Sequence, residues 1–208
     1  MLPYIAMLTM LIDHTGVMFY PDVNAFRIIG RIAFPLYCWF LVQGYFRTRD
    51  FGKYARRLLV IALVSQVPFS LAFQEWSLNV VFTLFLGLLC LRVLDRKDFS
   101  ESDKWWCMIG LMLLSVVIPM DYGIYGLLLI LLYRYMKGWK LMGLHLMLEG
   151  LFFLLAGRDY GIQFFSLVGT LLILYQHLFK PIPLNRWIYR SFYPAHLLLL
   201  FILRSLIP

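Results

Sequence analysis

Nine apolar runs, joined by loops in which lysine and arginine are by turns abundant and nearly absent, restrict this chain to one kind of fold. The runs cover Leu2–Tyr20, Phe26–Phe46, Leu58–Phe73, Asn79–Leu94, Trp105–Met120, Tyr122–Met136, Trp139–Ala156, Gly161–Leu178 and Ser191–Ile207. A membrane-spanning helix needs about 20 predominantly apolar residues to cross a hydrocarbon core of roughly 30 Å. Several runs are shorter, so the charge pattern has to carry the argument. Loop two holds Arg47, Arg49, Lys53, Arg56 and Arg57, loop four Arg92, Arg96, Lys97 and Lys104, loop six Arg134, Lys137 and Lys140, and loop eight Lys180, Arg186 and Arg190. The odd loops and both termini carry little that is basic beyond Arg158 and Arg204. Under the positive-inside rule this predicts an all-α, polytopic integral membrane helix bundle of about nine spans, N-terminus inside and C-terminus outside.

Composition agrees: 62% of residues are hydrophobic and 14% charged, against about 45–50% apolar in a soluble domain. No polar stretch is long enough to fold by itself, so residues 1–208 are expected to form a single transmembrane domain. The first run lacks a basic leader and a small-x-small site and contains Asp-His, so it is expected to be retained rather than cleaved. The net charge of +8 lies in the loops, which argues against nucleic acid as a partner and for membrane lipids. Cys38, Cys90 and Cys107 lack a CxxC spacing and read as small hydrophobes. His145 and Glu149 share a helical face, but neither an HExxH motif nor a third ligand accompanies them, so no metal is expected.

Candidate chemistry gathers in Leu8–Arg31, LTMLIDHTGVMFYPDVNAFRIIGR. It places Asp13 and His14 inside the first run and, after the turn Pro21–Asn24, Arg27 and Arg31 inside the second. A charge at the centre of a bilayer costs roughly 2.5–3.5 kcal/mol on insertion scales, so such residues mark a functional site by default. Asp13 and His14 project about 100° apart on a helix, which keeps Asp13 from simply orienting His14. Asp13 is better paired with Arg27 or Arg31, as a packing device or as the frame of a site. That leaves the imidazole of His14 as general base or nucleophile, with the remaining arginine or Asn79 to support an oxyanion. Asp121 and Tyr122 in the turn before the sixth run, His145 and Glu149 in the seventh, and Tyr193 and His196 in the ninth are further polar candidates. The basic Arg47–Arg57 loop reads as a topology signal and anionic-lipid contact, or as a docking patch for the phosphates of coenzyme A.

The segments LTMLIDHTGVMFYP, FRIIGRIAFPLYCWFLVQGYFRTRDFGKYARRLLVIALVSQVPF, NVVFTLFLGLLCL, DYGIYGLLLILLY and FYPAHLLLL resemble the TraX family of polytopic membrane proteins, over about Leu8–Phe201. The resemblance implies N-terminal acetylation of pilin in conjugative systems. It also implies a distant relation to transmembrane acyltransferases, which move acyl groups from cytosolic acyl-CoA to acceptors outside the bacterial inner membrane. By the same resemblance His14 of LIDH is the catalytic histidine, with Asp13, Arg27 and Arg31 as its polar frame, and Asn79, Asp121 and His196 fill the family's other polar positions. YPAH carries Ala195 where leucine is expected.

Both lines lead to one expectation. The chain is a membrane acetyltransferase that docks acetyl-CoA at Arg47, Arg49, Lys53, Arg56 and Arg57, and its acceptor is a pilin-like peptide, a glycan or a lipid. The alternative is a small transporter or assembly scaffold whose buried Asp, His and Arg form an ion or proton path.

Overall fold

The computed structural model describes residues 1–180 and 182–206. The chain forms α1 Leu2–Phe19, α2 Asn24–Gly30, α3 Ala33–Arg47, α4 Phe51–Phe73, α5 Val80–Leu94, α6 Glu101–Val117, α7 Gly123–Tyr135, α8 Gly138–Ala156, a 3-10 stretch Arg158–Phe165, α9 Ser166–Leu174 and α10 Arg186–Leu206. Four segments are long and apolar enough to cross a membrane, namely Leu2–Phe19, Asn24–Arg47, Phe51–Phe73 and Gly138–Ala156. Val60, Leu63, Val64 and Val67 on α4, and Leu154 and Leu155 on α8, are each at least half exposed. In water such stripes would form an apolar patch no soluble monomer tolerates, so they are the lipid-facing sides of a membrane bundle.

α3 is the central helix and packs against α1, α5, α7 and α9, while α10 lies along α4 and α1. Leu36, Leu88, Leu129 and Ile130 form one fully buried core, and Ala62, Leu197, Met10 and Phe69 a second. Tyr37, Leu58 and Val80 pack against both. The space between the two cores holds a cavity.

Several boundaries differ from the hydropathy reading. The eighth run, Gly161–Leu178, is the end of a 3-10 stretch, the nine-residue α9 and a 3-10 turn at Gln176–Leu178, and α6 starts at Glu101 rather than Trp105. Three more each have a clear local cause. The second run is broken at Arg31–Ile32 into α2 and α3. Pro35 has no N–H to give the carbonyl of Arg31, so the helical hydrogen-bond ladder is interrupted there while Arg31 and Ile32 keep right-handed backbone angles. α4 starts at Phe51 rather than Leu58, because Asp50 caps it by accepting from the Lys53 N–H at 2.9 Å. α10 starts at Arg186 rather than Ser191, after Asn185 accepts from the Trp187 N–H at 2.8 Å. Arg56 and Arg57 are therefore helical, and His196 lies halfway along α10 rather than near its start.

α5 is pinned by a polar joint. Asn79 caps it, accepting from the Val81 N–H at 3.0 Å, and its amide donates to Ala62 O and Gln66 Oε1, both at 2.9 Å. The loop before it bridges to the α6–α7 turn through Leu78 N–H to Pro119 O and Asp121 N–H to Leu78 O, both 2.9 Å. α7 then starts from Tyr122 at φ 65°, a left-handed conformation that costs a non-glycine residue on the order of 1–3 kcal/mol. That turn brings Asp121 and Tyr122 to the site.

Candidate functional site

α1 and α2 meet where Gly30 has no side chain. A Cβ at Gly30 would lie 2.1 Å from Asp13 Oδ1 and 2.3 Å from its Cγ. The carboxylate therefore reaches both arginines, at 2.9 Å from Arg27 Nη1 and 3.8 Å from Arg31 Nη2. Arg31 Nη1 further donates to Gln163 Oε1 at 3.0 Å and to Tyr122 Oη at 3.3 Å. Since the Tyr122 oxygen accepts from a guanidinium, its own proton is free to be donated, and the neighbouring charge makes it a stronger donor.

His14 turns away from Asp13 and meets His196 across the bundle, Nδ1 to Nε2 at 2.7 Å. The proton positions follow from one partner. His196 Nδ1 lies 2.7 Å from the carbonyl of Phe192, which can only accept, so Nδ1 carries the proton. His196 Nε2 is then an acceptor, and His14 donates to it from Nδ1. His14 Nε2 keeps its lone pair and has no protein partner among the described residues. The pair is a base held in one tautomer by a second imidazole.

Both elements face a cavity of about 380 Å³ between α1, α3, α4, α5 and α10. Arg57, Arg186 and Arg190 line it together with Asp13, His14 and Asp121, and Tyr37, Phe40, Tyr54 and Tyr189 supply aromatic walls. A second cavity, about 440 Å³, is lined by Arg27, Arg31, Tyr125, Phe152, Tyr160 and Gln163. Asp121 and Tyr122 line both and form their common wall. Burial pushes the Asp121 carboxyl up to about 6, against the opposing pull of Arg31. Tyr193 also lines the first cavity, with its hydroxyl buried and unpartnered among the described residues.

The structure thus gathers Asp13, His14, Arg27, Arg31, Asp121, Tyr122, Tyr193 and His196 in one place. Asn79 is outside it, its amide fully engaged in the α4–α5 joint rather than offered to an oxyanion. Of the basic loop only Arg57 reaches the cavity. Arg47, Arg49 and Arg56 are exposed elsewhere, and Lys53 pairs with Asp50 at 3.2 Å. His145 and Glu149 bond each other at 3.1 Å, fully buried, and line neither cavity. No group of three metal-ligating side chains converges among the described residues. Sequence reasoning missed Arg186, Arg190, Tyr189 and Gln163. Carrying the ninth helix back to Arg186 would have shown Arg186, Arg190, Tyr193 and His196 on one face, spaced four, three and three.

A family model described as TraX protein matches residues 1–204. A relative in Dichelobacter nodosus, named probable fimbrial assembly protein FimC, serogroup H1, is 35% identical over 108 residues, 44% of each chain. In Rickettsia prowazekii (strain Madrid E), the uncharacterized protein RP591 is 28% identical over 127 residues, 59% of this chain and 49% of the relative. The matched segments span about half the length of these curated relatives or less. No solved structure matches.

Proposed function

The chain belongs to the TraX family, and from that premise we propose that it is a membrane-embedded acyltransferase that moves an acetyl group from acetyl-CoA to an amine or hydroxyl acceptor. One observation carries the reading: a single cavity is lined both by Arg57, Arg186 and Arg190 and by His14. Three guanidinium groups suit the phosphates of coenzyme A, and aromatic walls suit its neutral pantetheine arm. With the N-terminus inside, the side of those three arginines faces the cytosol and the Arg27 side faces outward.

His14 Nε2 takes the proton from a neutral amine or hydroxyl as that group attacks the thioester carbonyl. The oxyanion forms against donors, Tyr122 Oη–H backed by Arg31, and Tyr193 Oη–H. As the C–S bond breaks, the sulfur leaves with the proton that His14 had taken. His196 supports the transient imidazolium through the bond to Nδ1. The acceptor enters from the second cavity and meets the donor at the Asp121–Tyr122 wall. The relative named as a fimbrial assembly protein favours a fimbrial or pilus subunit as acceptor, with a surface glycan or lipid as the other candidates.

The test is acetyl-CoA binding and turnover by the protein in nanodiscs, wild type against His14→Ala. Binding by both with turnover only by wild type is expected. If neither binds acetyl-CoA, the reading fails, and a proton or ion path along the buried Asp13–Arg31–Gln163 chain takes its place, testable by dependence on an imposed gradient.

A further inference from the structure

The buried pair His145–Glu149 is joined to Arg31 by a hydrogen-bond chain in which chemistry fixes the direction of each step. Arg31 can only donate, so Gln163 presents Oε1 to its Nη1 at 3.0 Å. The amide nitrogen of Gln163 is then at the other end, donating to Tyr125 Oη at 3.4 Å. Tyr125 has one proton, and it goes to the nearer acceptor, Glu149 Oε1 at 2.5 Å, rather than to His145 Nε2 at 3.2 Å. The same oxygen receives Ser166 Oγ–H and lies 3.1 Å from His145 Nε2, while His145 Nδ1 lies 2.6 Å from Thr170 Oγ1. Glu149 and His145 are wholly buried, Tyr125 and Gln163 nearly so. Glu149 Oε2 is buried without a partner among the described residues.

We propose that Glu149 is a positioning residue that sets the Arg31 guanidinium through Tyr125 and Gln163. The inference rests on reading Arg31 as part of the reacting centre. Arg31 needs such a hold. It sits at the break between α2 and α3, its contact with Asp13 is 3.8 Å long, its bond to Tyr122 is 3.3 Å, and its Nε is buried and unpartnered among the described residues. Its shortest bond is the one to Gln163. A carboxamide can turn end for end, which would put an N–H₂ against the guanidinium, donor against donor. Glu149 prevents the turn: by taking the Tyr125 proton it leaves the Tyr125 oxygen able only to accept, so the amide nitrogen must stay on that side. Without the Glu149 acceptor, Tyr125 can donate to the Gln163 carbonyl, and the amide is released to flip.

The experiment follows Arg31 directly, by magnetic resonance of ¹⁵N,¹³C-arginine-labelled protein in nanodiscs, with the Arg31 signals identified by their loss in Arg31→Lys. Acetyl-CoA kinetics are run in parallel. Tyr125→Phe and Glu149→Leu are expected to shift the Arg31 Nη signals and free their rotation, and Glu149→Gln, which retains one acceptor oxygen, to restore them in part. Tyr45→Phe removes buried hydroxyl bonds to Leu91 O and Asp95, away from the relay, and serves as the packing control. On the kinetic side, Tyr125→Phe is expected to lower kcat by about 10²-fold, the cost of a charge displaced by roughly 1 Å, with KM for acetyl-CoA within about twofold. Unmoved Arg31 signals in Tyr125→Phe overturn the relay, and so do equal shifts in Tyr45→Phe. Shifted signals in a wild type that neither binds nor turns over acetyl-CoA leave the relay standing and remove the acyltransferase reading.

Discussion

Replacing His196 by phenylalanine separates the two imidazoles without removing the base. His196 stacks on Phe192 at 4.6 Å between ring centroids, and Phe keeps that ring while deleting the nitrogen that accepts from His14. Two losses follow. In the ground state a buried donor on His14 is stranded, at a cost of about 1–3 kcal/mol, but part of that acts on stability rather than on rate. In the transition state His14 is an imidazolium, and its bond to His196 would be charge-assisted and about twice as strong as the neutral one, an extra ~1 kcal/mol that only the transition state feels. Release of the tautomer and of the ring orientation adds about 1–2 kcal/mol more. The sum, about 2–3 kcal/mol, is a fall in kcat of roughly 30- to 150-fold with KM for acetyl-CoA unchanged. Steady-state acetyl transfer in nanodiscs measures it. The double variant with His14→Ala should be no slower than His14→Ala alone, because His196 acts only through His14. Were the double variant slower still, or were His196→Phe as inactive as His14→Ala, the assignment of base and support would be refuted.

Gly30→Ala drives a methyl group into Asp13 and should lower stability by about 1–3 kcal/mol as overpacking, read as a lower unfolding midpoint in detergent together with loss of turnover. Arg186→Ala and Arg190→Ala should raise KM for acetyl-CoA in a salt-dependent way and leave kcat near wild type, while Arg47→Ala and Arg49→Ala should leave both KM and kcat unchanged. At the α5 C-terminus, burial pushes the Asp95 carboxyl up, but bonds from Tyr45 Oη at 2.6 Å and from Arg134, with the charges of Arg134 and Arg92, outweigh it and hold the group below its ordinary value. Its contribution is therefore fully present above the unfolded pKa of about 3.9 and disappears as pH falls through the lower folded value. Asp95→Asn should remove that part of the acid sensitivity, seen in melting temperatures between neutral pH and about pH 3.

The helical membrane bundle was legible because a run of Leu, Ile and Phe has one cheap fate in a bilayer, although only four segments are long and apolar enough to cross it. The helix ends were less so. Hydropathy marks Lys53, Arg56 and Arg57 as loop, yet backbone bonding at Asp50 starts a helix before them; the caps at Asp50 and Asn185 were the signals to weigh. The break at Arg31 was written in Gly30 and Pro35. In the site, Asp13, His14, Arg27 and Arg31 were visible as charges in apolar sequence. The meeting of His14 with His196 spans 182 positions and depends on how α10 lies along α1, which no local pattern states. Gln163 was invisible for another reason: it lies in an irregular 3-10 stretch, where no periodicity marks a face.

Buried polar residues in this bundle divide by whether their hydrogen bonds are complete. Asn79 and Gln66 form a closed set: the Asn79 amide has partners at both ends, Gln66 Nε2 donates to Ser70 Oγ at 3.1 Å and Ser77 O at 2.9 Å, and its Oε1 accepts from Asn79. Such a set holds α4 to α5 and has nothing left to offer a substrate. The other set is open. Of six buried side-chain atoms without a partner among the described residues, four are Asp13 Oδ1, Arg31 Nε, Tyr193 Oη and Glu149 Oε2. Leaving a buried polar atom unpaired costs about 1–3 kcal/mol, so an ordinary helix joint would not collect them. Three of them, Asp13 Oδ1, Arg31 Nε and Tyr193 Oη, belong to residues that line two cavities with a common wall, an arrangement that a closed packing joint does not need and that the charges in the sequence could not reveal.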